Sequence, residues 1–235
     1  VKFWGVRGSI ACPGPETARY GGNTPSLEVR CGNNTIILDA GTGLRYLGNA
    51  MAKEGPVDAD LFLSHTHFDH IVGLPFFSPM FVSSNKIRIW AGHLKPAKLT
   101  LKKVMEDMMM PPMFPVPPEI FEADVIYNDF DAGDTFTPRP GITVHTTMLN
   151  HPDNATGYRI EFGGKSICYC TDTQHVIDQP NQNILDLIEG TDLMIYDSTY
   201  TDKEFSARSD WGHSTWEEGV RLADKANVKK FVVFH

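Results

Sequence analysis

The sequence predicts an α/β or α+β fold, and three observations predict it. Strand-like apolar runs dominate the first half and recur in the second, helix-like segments fall between them, and nothing divides the chain. Strands are expected near 1–5, 27–31 and 35–39, then a helix near 43–53. A strand near 59–64 follows, built on Leu61-Phe62-Leu63-Ser64, a run with the length and composition of a buried strand. Next come a strand near 86–91 and a helix near 97–109. The second half predicts strands near 141–147, 157–163 and 166–171, a helix near 181–189 and a strand near 192–197. A last helix near 215–227 opens on Ser214 and Glu217, which have capping-box spacing, with Trp216, Val220 and Ala223 on one face. Lys230-Phe231-Val232-Val233-Phe234 closes the pattern as a strand.

With 235 residues and 41% hydrophobic content, the chain can bury one sizeable core, so residues 1–235 are expected to form a single domain. No linker, repeat or low-complexity tract interrupts it. No apolar run is long enough to cross a bilayer and no signal-peptide pattern is present, which predicts a cytoplasmic protein that does not engage a membrane. The chain starts without Met and stops on a ligand-type residue, so residues beyond one or both ends are expected. Cys12, Cys31, Cys168 and Cys170 have no disulfide-framework spacing and read as buried thiols in a reducing compartment.

The most informative stretch is His65-Thr66-His67-Phe68-Asp69-His70, three imidazoles and a carboxylate in six positions directly after an apolar strand. In extended backbone His65, His67 and Asp69 start on one side, and a turn at His70 brings a fourth group round. Zinc, manganese and iron accept imidazole nitrogen and carboxylate oxygen, and four such groups exceed one ion's share once water is admitted. A tag remnant would lie at a terminus and would not follow a hydrophobic strand. Further ligand types stand where strands are expected to end: His151 after the run from Gly141 to Leu149, Asp172 after Lys165 to Thr171, and His235 after Phe234. That lip is where α/β architectures tend to place chemistry.

The pattern His-x-His-x-Asp-His resembles the signature of the metallo-β-lactamase-fold hydrolases, and the likeness covers nearly the whole chain. The resemblance implies a four-layer αββα sandwich. It also implies that His65, His67 and His151 hold one divalent ion, that Asp69, His70 and His235 hold a second, and that Asp172 bridges them. Zinc is the default metal, with manganese as the alternative. Phe3-Trp4-Gly5-Val6-Arg7-Gly8-Ser9-Ile10, Gly21-Gly22-Asn23-Thr24 and Leu38-Asp39-Ala40-Gly41-Thr42-Gly43 resemble the phosphodiesterase branch of that superfamily. So do Asp197-Ser198-Thr199-Tyr200 and Gly212-His213-Ser214-Thr215. The branch includes ribonuclease Z, the phosphoribosyl cyclic phosphodiesterase and phage cyclic nucleotide phosphodiesterases.

The implied chemistry is hydrolysis of a phosphodiester by a hydroxide shared between two ions, with Asp69 orienting it and His213 stabilising charge or protonating the leaving group. His213 is expected just outside a helix N-terminus, a position that favours an anion nearby. Charge narrows the substrate. Lys and Arg number 21 against 29 Asp and Glu, a net charge of −8, and no basic run forms a phosphate track. The expected partner is therefore a small diester, a cyclic nucleotide or cyclic sugar phosphate, rather than nucleic acid. A ribonuclease Z-like tRNA 3′ endonuclease is the alternative enzyme, weakened by the missing Gly- and Pro-rich basic arm. A non-catalytic binding or sensor module is the alternative class, weakened by the complete ligand set.

One segment departs from scaffold chemistry. Between Val104 and Phe121 lie five Met residues, Phe114 and five prolines, too many prolines for a helix or a central strand. Within an insertion at about 97–128 this predicts a lid from Met105 to Phe121, in cis or across a homodimer, with an ordinary capping loop as the alternative.

Overall fold

The expected apolar runs form the centres of two six-stranded sheets, one in each of two compact units, Val1–Phe130 and Asp131–His235. The computed structural model describes residues 1–235. In the first unit the strands are β1 (Lys2–Gly5), β2 (Ser26–Cys31), β3 (Asn34–Leu38), β4 (Asp58–Leu63), β5 (Lys86–Ala91) and β6 (Asp124–Asp129), paired in chain order. β1, β2 and β3 are antiparallel, and β3 through β6 are parallel. Every residue of β4 after Asp58 is buried, as a central parallel strand covered on both faces requires. Helices α1 (Gly43–Met51), α2 (Phe68–Ile71) and α3 (Leu101–Met108) belong to this unit. Leu44, Leu47 and Met51 of α1 share a core with Ile37, Leu61, Leu63, Ile87 and Ile89.

In the second unit the strands are β7 (Thr135–Arg139), β8 (Ile142–Leu149), β9 (Ala155–Phe162), β10 (Lys165–Cys170), β11 (Leu193–Asp197) and β12 (Phe231–Phe234). β7 to β10 are antiparallel, while β10, β11 and β12 are parallel. Cys170 pairs with Tyr196 and Tyr196 with Val233, so the residues just past these strands share one lip of the sheet. Helices α4 (Gln182–Ile188), α5 (Asp202–Phe205) and α6 (Trp216–Lys225) complete the unit.

The elements absent from the sequence reading are the edge strands β6 and β7 and the short helices α2 and α5. β6 is half-buried almost throughout and lacks a two-residue alternation. β7 contains Pro138, which an edge strand tolerates because one side of it needs no ladder donor. The last helix begins one residue later than expected. Thr215, not Ser214, is the N-cap and accepts from the Glu218 amide. The buried face is accordingly Glu218, Gly219, Leu222 and Ala223, while Trp216 and Val220 are exposed.

The Met- and Pro-rich stretch is half scaffold. Thr100 caps α3, and Met105 and Met109 are 1% exposed in the first unit's core. A lid beginning at Met105 is thus corrected: a helix continues to Met108 because the first proline comes only at Pro111. Met110 and Met113 are exposed, and Phe114 packs edge-on to Phe76. All four cysteines are free. Burial pushes the Cys168 thiol up to about 12 and that of Cys170 well above its ordinary value, so neither provides a thiolate ligand. No helix is long and apolar enough to cross a membrane.

Met105→Ala should lower unfolding free energy by roughly 2–4 kcal/mol, the range for truncating a core Met, whereas Met113→Ala should stay within about 0.5 kcal/mol. Urea denaturation of both variants checks the division of this segment into core and surface.

Candidate metal centre

The first unit contributes ligand groups from one continuous stretch. β4 ends at Leu63 and His67 is the extended N-cap of α2, so Asp69 and His70 lie in a helical first turn. The expectation of His65, His67 and Asp69 alternating on a strand is therefore corrected, because Ser64 leaves the sheet before the ligands begin. His65 Nε2 lies 2.9 Å from His67 Nδ1, and His70 Nε2 lies 3.2 Å from Asp69 Oδ2. The Asp69 carboxylate also accepts from the Ser9 amide at 2.9 Å.

A buried carboxylate decides which imidazole nitrogens are bare. Asp39, wholly buried, accepts from the Ser64 amide at 2.7 Å, from the Ser64 hydroxyl at 2.8 Å and from His70 Nδ1 at 2.8 Å. The single Ser64 hydroxyl proton is committed to Asp39, so Ser64 Oγ accepts from His65 Nδ1 at 3.1 Å. Both His65 and His70 then present an unprotonated Nε2, the form a metal binds, fixed by a hydrogen bond at the opposite nitrogen. Asp39 has φ 59°, a left-handed backbone that Asp tolerates better than most residues.

The second unit repeats this logic on the lip of its parallel strands. His151 Nδ1 donates to the Gly212 carbonyl at 2.7 Å, leaving Nε2 bare at 3.9 Å from Asp172 Oδ1. His235 Nε2 lies 3.3 Å from the same oxygen, and its Nδ1 is 3.1 Å from Thr199 Oγ1. Thr199 gives its own hydroxyl proton to Asp197 Oδ1 at 2.8 Å, so it accepts from His235. Gly212 has φ 81°, and a Cβ there would stand 2.6 Å from His151 Nδ1, so only glycine brings its carbonyl to that ring.

His213 is tied to a buried acid. Its Nδ1 donates to Asp197 Oδ2 at 2.9 Å, and its ring stacks on His235 with centroids 4.7 Å apart. Asp197 is saturated: Oδ2 also accepts from the Thr173 amide, and Oδ1 from the Thr199 amide and hydroxyl. Behind it, Ser214 Oγ bonds His175 Nδ1 and the Tyr196 hydroxyl. Burial raises the Tyr196 hydroxyl well above its ordinary range and lowers the His175 imidazole, so both act as neutral supports. Ligand atoms of His151, Asp172 and His213 lie within 4.8 Å of one another, as do those of Asp197, His213 and His235.

All eight site residues expected from the sequence therefore fall into two clusters, His65, His67, Asp69 and His70 in the first unit and His151, Asp172, His213 and His235 in the second. Imidazoles locked with one bare nitrogen beside carboxylates suit zinc or manganese. The sequence reading assigned no role to Asp39, Ser64, Asp197 or Thr199. Asp39, Asp197 and Thr199 stand in the phosphodiesterase-like motifs without an individual role, and Ser64 only as the end of an apolar run.

Residues 34–235 match the family described as the beta-lactamase superfamily domain. The chain belongs to that superfamily. A ribonuclease Z of Picrophilus torridus is 23% identical over 274 aligned positions, which cover all of this chain and 84% of that protein. The structure of the short form of human tRNase Z superposes with a TM-score of 0.72 at 19% identity, covering 100% of this chain and 91% of that one. A diphosphatase from the PhnP family superposes at 0.69 with 17% identity, covering 100% and 84%. These two likenesses show a shared α/β superfamily fold.

Asp39→Asn keeps the left-handed backbone accessible but places an amide where His70 Nδ1 donates. Zinc affinity should fall roughly 10- to 100-fold, the usual effect of losing a ligand's hydrogen-bond partner, as read by competition with a chromophoric chelator. Unchanged affinity would show that Asp39 supports the loop alone.

Proposed function

We propose that the two clusters serve one dinuclear centre that hydrolyses a small phosphodiester, a cyclic nucleotide or cyclic sugar phosphate. The chain is a hydrolase of the superfamily; the choice of substrate is the proposal. His65, His67 and His151 would hold one ion, Asp69, His70 and His235 the other, with Asp172 between them. The observation that carries this reading is the convergence of His151 Nε2 and His235 Nε2 on one Asp172 oxygen, at 3.9 and 3.3 Å. Two ions rather than one are proposed because seven imidazole and carboxylate donors exceed the share of a single ion. Bound divalent ions supply Lewis acidity and activate water near neutral pH.

The chain's own groups handle the protons. Asp197 holds the Nδ1 proton of His213, so Nε2 is the end offered to substrate. When Nε2 also carries a proton, that proton is donated to a phosphoryl oxygen or transferred to the departing alkoxide, leaving the ring protonated on Nδ1 alone. Asp69, anchored by the Ser9 amide and beside His70, orients the attacking water.

Two observations support a small substrate. The net charge of −8 disfavours neutralising a string of phosphates. The match to the P. torridus ribonuclease Z needs 274 positions for a 235-residue chain, so that relative carries internal segments with no counterpart here. That relative is a ribonuclease Z, which supports the second reading, cleavage at a tRNA 3′ end.

Fully loaded protein should contain two metal equivalents by elemental analysis, and Asp172→Asn should release metal from both positions. One equivalent or less in the wild type would overturn the dinuclear reading. Asparagine tolerates the left-handed backbone of Asp172, φ 56°, so this variant tests the charge rather than the turn.

His213→Ala should lower turnover about 10²- to 10⁴-fold with metal content unchanged, whereas metal loss would make it a ligand. The substrate is tested on a panel of cyclic mononucleotides, cyclic dinucleotides, bis-p-nitrophenyl phosphate and a pre-tRNA across a salt series. Cyclic phosphate hydrolysis that survives moderate salt is expected. Efficient, salt-tolerant pre-tRNA cleavage with no cyclic phosphate hydrolysis would establish the second reading.

A further inference from the structure

A cavity of about 470 Å³ in the first unit adjoins the stretch that carries its metal-ligand groups. Val72 and Gly73, which line it, directly follow the helix bearing Asp69 and His70. Ala11 and Pro13, on another wall, continue the loop whose Ser9 amide holds the Asp69 carboxylate. The cavity is therefore bracketed by the two pieces of chain that position one proposed ligand.

Its chemistry is specific. Two aromatic side chains at the rim, Tyr46 and Phe76, are about half exposed, at 51% and 53%. Phe76 is steadied edge-on by Phe114, with centroids 5.9 Å apart. Beside Tyr46 in the chain, α1 also contributes Arg45, which is exposed and has neither a carboxylate partner nor a hydrogen bond within the protein. The Asn23 side-chain oxygen is occupied by the Thr42 hydroxyl at 3.2 Å, which leaves its amide NH₂ as a second donor. The floor is backbone: a Cβ on Gly73 would lie 2.1 Å from the Gly41 carbonyl oxygen.

Flat apolar faces combined with donors and no acidic side chain select a planar ring whose edge carries acceptors. The volume falls within the range of small-ligand sites and holds one nucleoside, not an RNA stem. We propose that this cavity is the nucleobase subsite of the diester site. The ring rests against Tyr46 and Phe76 while the Arg45 fork meets two adjacent acceptors, as on guanine O6 and N7. Adenine presents a donor at the equivalent position and is disfavoured. This inference rests on the diesterase reading above and names its substrate class, a guanine nucleotide.

The test separates the two claims by reading binding without chemistry. Metal-loaded protein is probed by saturation-transfer NMR with guanosine and adenosine, which lack the phosphate. Guanosine should bind more strongly, and Arg45→Ala should abolish the difference. Arg45→Lys should not restore it, because an ammonium lacks the planar fork. Arg45 is exposed on a helix, so both variants should retain the wild-type circular dichroism spectrum. In parallel, the ratio of kcat/KM for guanosine over adenosine 3′,5′-cyclic monophosphate should collapse in Arg45→Ala by roughly ten- to hundredfold, chiefly through KM. Tyr46→Ala should raise KM for both nucleotides.

Guanosine binding that depends on Arg45, without hydrolysis of any cyclic nucleotide, would uphold the subsite and overturn the diesterase reading. Hydrolysis indifferent to Arg45 and Tyr46 would overturn the subsite and leave that reading standing. Absence of both guanosine binding and cyclic nucleotide hydrolysis would overturn both.

Discussion

A carboxylate buried at the end of a strand must have its lone pairs filled, because an unsatisfied buried charge costs several kcal/mol. In each unit one acid meets that demand with the groups that orient an imidazole. Asp39 gathers the Ser64 amide, the Ser64 hydroxyl and His70, and Asp197 gathers Thr173, Thr199 and His213. Because Ser64 and Thr199 each have one hydroxyl proton and give it to the acid, each can only accept from the next histidine. The tautomers of His65, His70 and His235 follow from that count of protons.

The same demand explains backbone that would otherwise look costly. Asp39, directly past β3, and Asp172, two residues past the end of β10, both sit at positive φ, where the chain must turn sharply while a carboxylate faces inward. Strain of this kind persists where surrounding hydrogen bonds over-determine the turn. Gly212 serves the same end by a different route. Its carbonyl holds the His151 ring, and the ring occupies the space a side chain would need.

Electrostatics of the whole chain and of the site point in different directions, and the site prevails locally. A net charge of −8 repels polyanions at long range, where salt screens it over about 8–10 Å. Close to the ligand clusters, imidazoles oriented by hydrogen bonds at Nδ1 leave a bare Nε2 that favours a divalent cation, and bound cations would reverse the sign felt by a phosphate. That balance is the basis of the proposal that the substrate carries one phosphate drawn in at short range.

The members of the two candidate clusters were legible in the sequence. His65, His67, Asp69 and His70 are close in the chain, and His151, Asp172 and His235 each follow an apolar run whose strand character is local. The central strands were legible for the same reason, since near-continuous burial leaves an apolar run, as in β4. The edge strands β6 and β7 were not, because an edge buries less and so constrains its side chains less. What only the tertiary structure decided is which distant residue completes each group. Asp39 reaches His70 across 31 positions, Gly212 reaches His151 across 61, and Thr199 reaches His235 across 36. Those partnerships come from strand register, which places chain segments on one lip of a sheet. It also decided that Met105 and Met109 are core while Met113 is surface, because Met105 and the C-cap Met109 stand four positions apart on the buried face of α3, whereas Met113 lies past the helix, beyond Pro111 and Pro112.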